Sequence, residues 1–254
     1  MEKIYYENYD NLKLCGILNE TESKNTIVVM CHGIRGNKEE WGVFTSLSEK
    51  LLENGYSSFR FDFNGHGESE GKDLDMTITK EINDLECTIE MLKKRGYKEF
   101  ILLGGSFGAS IVSLLPFNKY PNVKAIILWY GCLDYDYARY GNLFTIDNMK
   151  EAENNGYYVT RSLKTGKEFK FGLELFKETY KYKPYENLIK CDLPKLFVHG
   201  DKDSAVPYTL SIEISNKCSN STLKLIKNGE HNFLDSQDSI NEAIDITVDY
   251  IKNL

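Results

Sequence analysis

The chain has 254 residues, a charged fraction of 27% and a formal net charge of −7. That length suits one large α/β domain or two small ones, with a substantial buried core either way. The acidic balance argues against nucleic acid or an anionic membrane surface as the main partner. The N-terminal run Met1-Glu2-Lys3-Ile4-Tyr5-Tyr6-Glu7 has neither the basic start nor the apolar stretch of a secretory signal. No segment approaches the roughly eighteen apolar residues of a membrane span, so a cytoplasmic location is expected. The six cysteines (Cys15, Cys31, Cys87, Cys132, Cys191 and Cys218) are scattered singly, without zinc-ligand spacing, and read as free thiols in a reducing compartment.

Taken in chain order, Lys3 to Glu7 and Leu12 to Leu18 alternate apolar and polar residues about Asp10-Asn11 and predict a hairpin. Thr26 to Met30 is a continuous apolar run, as expected of a strand buried on both faces of a parallel sheet. Trp41 to Leu52 has helical periodicity and stops at Asn54-Gly55. Tyr56 to Phe63 reads as a strand and Thr77 to Arg95 as a long amphipathic helix ending at Gly96. The alternation continues with strand Phe100 to Leu103, helix Phe107 to Leu115 and strand Ala125 to Trp129. After an interruption come strand Lys195 to Val198, helix Thr209 to Ser215, strand Thr222 to Ile226 and a closing helix Ser239 to Ile251. Strands alternating with helices give an α/β fold with a mostly parallel sheet covered on both faces. Right-handed crossovers then bring the strand C-terminal ends to one edge, where such folds hold their ligands.

The interruption is rich in tyrosine and phenylalanine, and within it Tyr157 to Leu163 and Glu168 to Phe171 flank a turn at Lys164-Thr165-Gly166. It leaves the end of one strand and returns to the start of the next, so it is expected to cover the active edge. The organisation is one core domain, residues 1–130 and 189–254, with an inserted cap at 131–188. Tyr130, Cys132, Tyr135, Tyr157 and Phe176 are expected to line an apolar acyl or aryl pocket beneath it.

Gly104-Gly105-Ser106-Phe107-Gly108 stands between a predicted strand and a predicted helix, the context a nucleophile elbow requires. A serine hydroxyl is a poor nucleophile at neutral pH and needs a base, which a carboxylate in turn orients. Of the four histidines, His231 follows the last strand in a loop at the active edge and is the natural base. His32 and His66, each before a glycine, read as loop-shaping residues, and His199 as a buried imidazole bonded to backbone. After the strand ending near Val198, Asp203 is placed to reach the imidazole, while Asp201 shapes the turn. The order Ser106, Asp203, His231 is that of an α/β-hydrolase and not of the chymotrypsin or subtilisin arrangements. The developing oxyanion needs two backbone donors. Phe107 supplies one at the helix start, and Ile34, in the loop Cys31 to Asn37 after an early buried strand, supplies the other.

Four motifs occur in order: His32-Gly33-Ile34, Asp62-Phe63-Asn64-Gly65-His66-Gly67-Glu68-Ser69, Gly104 to Gly108, and His199-Gly200-Asp201-Lys202-Asp203 with the later Gly229-Glu230-His231. Through them nearly the whole chain resembles the α/β-hydrolase superfamily. Arg60 to Gly67 and the cap position make it most similar to bacterial cinnamoyl and feruloyl esterases. The resemblance implies a triad of Ser106, Asp203 and His231, with Ile34 and Phe107 as oxyanion donors. Those esterases commonly carry His before the serine and Gln-Gly-Gly after it, where this chain has Gly105 and then Phe107-Gly108-Ala109.

The expected function is a serine carboxylesterase acting on small to medium acyl or aryl esters, cinnamoyl or feruloyl esters among them. Thioester, amide or peptide hydrolysis and acyl transfer use the same triad. A reading from another class is a catalytically silent binding protein on this fold, against which stands the retention of every triad member. No dinucleotide fingerprint, P-loop or metal-ligand pattern occurs, so no cofactor or metal is expected. The expected partner is a small-molecule ester, and the expected state a monomer or homodimer.

Overall fold

The computed structural model describes residues 1–138, 143–162 and 166–254. Strands β1 (Glu2–Glu7) and β2 (Lys13–Asn19) form the N-terminal hairpin. They are followed by β3 (Thr26–Cys31), α1 (Val43–Glu53), β4 (Ser57–Asp62), α2 (Ile78–Lys94), β5 (Glu99–Gly105), α3 (Phe107–Leu114) and β6 (Val123–Trp129). Between β6 and the next sheet strand lie α4 (Tyr135–Ala138), α5 (Ile146–Asn155), β7 (Tyr157–Arg161), β8 (Glu168–Gly172), α6 (Leu173–Lys181) and α7 (Pro184–Lys190). The chain closes with β9 (Lys195–Gly200), α8 (Tyr208–Lys217), β10 (Ser221–Ile226) and α9 (Gln237–Lys252).

The main sheet runs in the order β1-β2-β4-β3-β5-β6-β9-β10. The hairpin and the β2–β4 pair are antiparallel, and β4, β3, β5, β6, β9 and β10 pair in parallel. The β7–β8 pair is a separate antiparallel ribbon, and the turn expected at Lys164-Thr165 lies outside the described residues.

Alternation along the central strands builds two cores. Ile27, Val29 and Cys31 of β3 bury with Leu85 and Ile89 of α2 and Ile111 and Val112 of α3. Val28 and Met30 point the other way and bury with Phe44 and Leu47 of α1 and Val248 and Ile251 of α9. Both faces of the sheet are therefore covered, which explains why these strands read as unbroken apolar runs.

Helix starts follow their caps. The Thr77 hydroxyl accepts from the Lys80 amide and opens α2, and Ser236 accepts from Ser239 to open α9. The helix expected from Trp41 begins instead at Val43. Glu40, Trp41 and Gly42 have φ of 41°, 61° and 93°, a left-handed stretch that an α-helix cannot include. The insertion holds four helical segments among its described residues, although its aromatic-rich sequence gave only the hairpin.

Contacts fix that insertion against the rest of the chain. The Lys170 amide donates to Asp73 Oδ2 at 2.7 Å, and the Thr79 amide donates to Glu178 Oε2 at 2.9 Å. Arg35 Nη1 donates to the carbonyl of Arg161 on β7 at 3.1 Å. Among the described residues no helix is long and apolar enough to cross a membrane.

Candidate active site

Strands β3, β5, β6 and β9 end on one edge of the sheet, and the loops that follow them meet there. Ser106 stands between β5 and α3 with φ 53° and ψ −116°, a conformation sparsely populated by residues other than glycine. Its amide donates to the Trp129 carbonyl at 2.9 Å, and its carbonyl accepts from Ala109 and Cys132, so the strained turn is anchored on both sides. Helix α3 crosses so close to β3 that a Cβ on Gly108 would sit 2.1 Å from the Cys31 carbonyl oxygen. The glycine after the serine is a steric requirement of this crossing.

Three side chains form a connected hydrogen-bonded row. Ser106 Oγ is 3.1 Å from His231 Nε2, and His231 Nδ1 is 2.7 Å from Asp203 Oδ2. With Nδ1–H donating to the carboxylate, Nε2 is left to accept from the serine hydroxyl. The row runs inward: Asp203 has no exposed side-chain surface and His231 keeps 20%. Asp203 Oδ1 accepts from the amides of Ala205 and Val206, each at 2.8 Å. Asp201 takes no part, because its Oδ1 accepts from the Asn228 amide at 2.6 Å and ties the β9 loop to the β10 loop.

The loop after β3 carries Ile34 to the edge of the same cavity, about 360 Å³, that Ser106 and His231 line. Two buried imidazoles shape this loop. His32 Nδ1–H donates to the Gly33 carbonyl at 2.8 Å while its Nε2 accepts from the Phe63 amide at 3.1 Å. The ring nitrogens of His66 lie 3.0 and 2.9 Å from the carbonyl oxygens of Asn64 and Ile34, which fixes the peptide between Ile34 and Arg35. Asp62 binds the Lys38 amide and ammonium, each at 2.7 Å, locking the β3 loop to the β4 loop. Phe107 is the first residue of α3, directly after Ser106, so its amide has no acceptor within the helix.

Known proteins share this fold. Est1E from Butyrivibrio proteoclasticus, solved with ferulic acid bound, matches with a TM-score of 0.82 and 24% identity, covering 98% of this chain and 99% of that one. This chain has the α/β-hydrolase fold. Residues 22–143 match the family described as serine aminopeptidase, S33. Human serine hydrolase BPHL is 26% identical over 227 residues, 84% of this chain and 75% of the relative. Bovine mitochondrial palmitoyl-protein thioesterase ABHD10 is 24% identical over 197 residues, 76% of this chain and 63% of the relative.

Burial opposes the charge on Asp203, but the hydrogen bonds from His199 and His231 outweigh it and hold the carboxyl below the usual carboxylate range. His199 is the buried imidazole bonded to backbone that the sequence suggests. It meets the Val206 carbonyl at 3.0 Å, and its Nε2 also donates to Asp203 Oδ2 at 3.0 Å and its Nδ1 accepts from Ser211 Oγ at 2.8 Å. The order of the motifs carried no signal for that second contact.

The five residues expected on the pocket wall lie elsewhere than on this cavity. Tyr130, Tyr135 and Phe176 are almost wholly buried, because large rings gain most from leaving water. Tyr130 packs edge-on against His231 with ring centroids 4.9 Å apart, and Tyr135 packs against Phe107 and Phe144. Cys132 is buried, which pushes its thiol up to about 12, and Tyr157 is half-buried under the Lys170 ammonium. The cavity wall is more polar than expected, with Arg35, Glu40, Ser162, Ser204, Glu230 and Asn232 contributing. These are loop residues, and nothing in apolar periodicity distinguishes them from other loop residues.

Proposed function

We propose that the chain is a serine carboxylesterase in which Ser106 is the nucleophile, His231 the general base and Asp203 the group that orients the imidazole. The observation that carries this reading is the row Ser106 Oγ to His231 Nε2 to Asp203 Oδ2, at 3.1 and 2.7 Å, with the serine on a strained elbow. Ser106 Oγ attacks the acyl carbon as His231 Nε2 takes its proton, and the carbonyl oxygen becomes an oxyanion held by the amides of Ile34 and Phe107. Collapse expels the alcohol, which receives the proton from His231. Water then repeats the sequence on the acyl-enzyme and frees the acid.

Residues 131–188 act as the cap of this site. The ring of Phe107 against Tyr135 and Phe144, and the bond from Arg35 to the Arg161 carbonyl, supply its contacts with the two oxyanion loops. A cavity of about 360 Å³ lies at the small end of the range for ligand sites, which supports small to medium esters. Oxoester substrates are favoured by the likeness to Est1E, with ferulic acid bound. The similarity to a palmitoyl-protein thioesterase favours thioesters as the second reading, since both leaving groups suit the same row.

A panel of short p-nitrophenyl esters, feruloyl esters, acyl thioesters and aminoacyl amides separates these readings. The proposal expects the highest kcat/KM on an oxoester. Turnover confined to thioesters or amides overturns it.

A further inference from the structure

Glu40 is a buried carboxylate, 1% exposed, on the wall of the cavity that Ser106 lines. Its Oε2 accepts from the Gly33 amide at 3.0 Å. Its Oε1 accepts from Asn232 Nδ2 at 2.9 Å and from the Tyr130 hydroxyl at 3.4 Å. Each partner adjoins a different part of the proposed machinery. Gly33 precedes Ile34, Asn232 follows His231, and Tyr130 packs edge-on against the His231 ring and against Gly105 beside Ser106. One carboxylate therefore joins the loops that follow β3, β6 and β10.

The chain accepts an unfavourable backbone to place it there. Glu40 and Trp41 have φ of 41° and 61°, and side chains other than glycine are strained in that region. The fit is also close, since a Cβ on Gly33 would lie 3.2 Å from Glu40 Oε1 and 3.3 Å from Ser106 Cβ. A carboxylate is the side chain of this length that offers only acceptors. Glutamine has nearly the same shape, but its NH₂ would face either the Gly33 amide or the Asn232 amide, donor against donor.

We infer that Glu40 is a positioning residue: it sets the spacing between the oxyanion loop and the His231 loop, and acts through Gly33, Asn232 and Tyr130 without touching the reacting atoms. The inference rests on Ser106 and His231 being nucleophile and base. A misplacement of about 1 Å at such a site costs on the order of 10²-fold in rate, and an effect of this kind falls on kcat more than on KM.

The test compares the unsubstituted protein, Glu40→Gln, Asn232→Ala and the double variant. Active sites are counted by fluorophosphonate labelling, and kcat per labelled site and KM are measured on a short p-nitrophenyl ester beside a melting curve. Glu40→Gln is expected to lower kcat per site on the order of 10²-fold with KM changed less than about threefold. Asn232→Ala, which removes one partner, is expected to lower kcat roughly tenfold. The double variant is expected to fall short of the product of the two, because both act on one contact. A role confined to stability would lower the melting temperature and leave kcat per site untouched, and that result overturns the inference. Should Glu40→Gln fail to fold, unchanged kcat per site in Asn232→Ala overturns it alone. Absence of labelling in the unsubstituted protein is a different failure, removing the nucleophile assignment and the inference with it.

Discussion

His199 and His231 donate to the same oxygen of one carboxylate. Nε2 of the first lies 3.0 Å and Nδ1 of the second 2.7 Å from Asp203 Oδ2. With two amides on Oδ1, the carboxylate receives four donors while its side chain is withdrawn from water. Such a group is both fixed in direction and held ionised.

His199→Ala removes one charged hydrogen bond and is expected to cost about 2 kcal/mol of stability. Asp203 in the folded protein titrates below the unfolded value of about 3.9. Its stabilisation is therefore complete above that value and is lost as pH falls toward the folded one. Losing a donor raises the folded value, so acid unfolding of the variant should begin at higher pH. Urea titrations between pH 3 and pH 7 read this directly. Parallel curves for the two proteins would contradict it.

Two buried groups shift stability in opposite directions as pH changes. Burial, together with neighbouring His66, holds the His32 imidazole well below its ordinary range, so it stays neutral when folded and takes up a proton near pH 6.5 when unfolded. Stability from this group falls as pH drops through that range. Burial raises Glu81 well above its ordinary range. Its contribution is complete below about pH 4.3 and is lost as pH rises through the folded value.

Glu81→Gln keeps the shape of the protonated acid and cannot ionise. The Oε1 atom of Glu81 is buried without a hydrogen-bond partner among the described residues, so the exchange breaks no visible bond there. The variant should gain stability relative to the parent as pH rises from 5 to 8. Thermal midpoints of both proteins across that range measure the difference, and a gap that stays constant with pH would refute the assignment.

Gly108→Ala tests the crossing beneath the elbow. The added carbon would meet the Cys31 carbonyl oxygen at 2.1 Å, and its neighbour is backbone that cannot rotate away. Overpacking of this kind costs about 3 kcal/mol or more. Chemical denaturation should show that loss, and a variant as stable as the parent would mean that α3 does not pass so near β3.

Much of this fold was legible because both faces of the parallel strands are buried. That leaves runs such as Thr26 to Met30 uninterrupted, with glycines at their ends. The helix start at Val43 was misplaced by two residues because Glu40 and Trp41 adopt positive φ, which their residue types disfavour. Ser106, Asp203 and His231 were named from chain order and from the rule that ligands sit at strand C-terminal ends, and the structure brings these three within hydrogen-bond distance. Glu40 was invisible to the same reasoning, since it follows no strand directly and its partners are 7, 90 and 192 positions away. The aromatic residues are ambiguous for a physical reason. Tyr135 and Phe176 belong to a segment that covers the edge, but composition does not separate a ring that lines a cavity from one that holds its wall together.

The account turns on Ser106, and its most direct test is covalent. Fluorophosphonate treatment of the purified protein, followed by peptide mapping, should place one adduct per chain on Ser106 and abolish p-nitrophenyl ester turnover in step with labelling. His231→Ala should label far more slowly while remaining folded. A protein that hydrolyses esters while Ser106 stays unmodified, or that loses nothing on Ser106→Ala, would contradict the account.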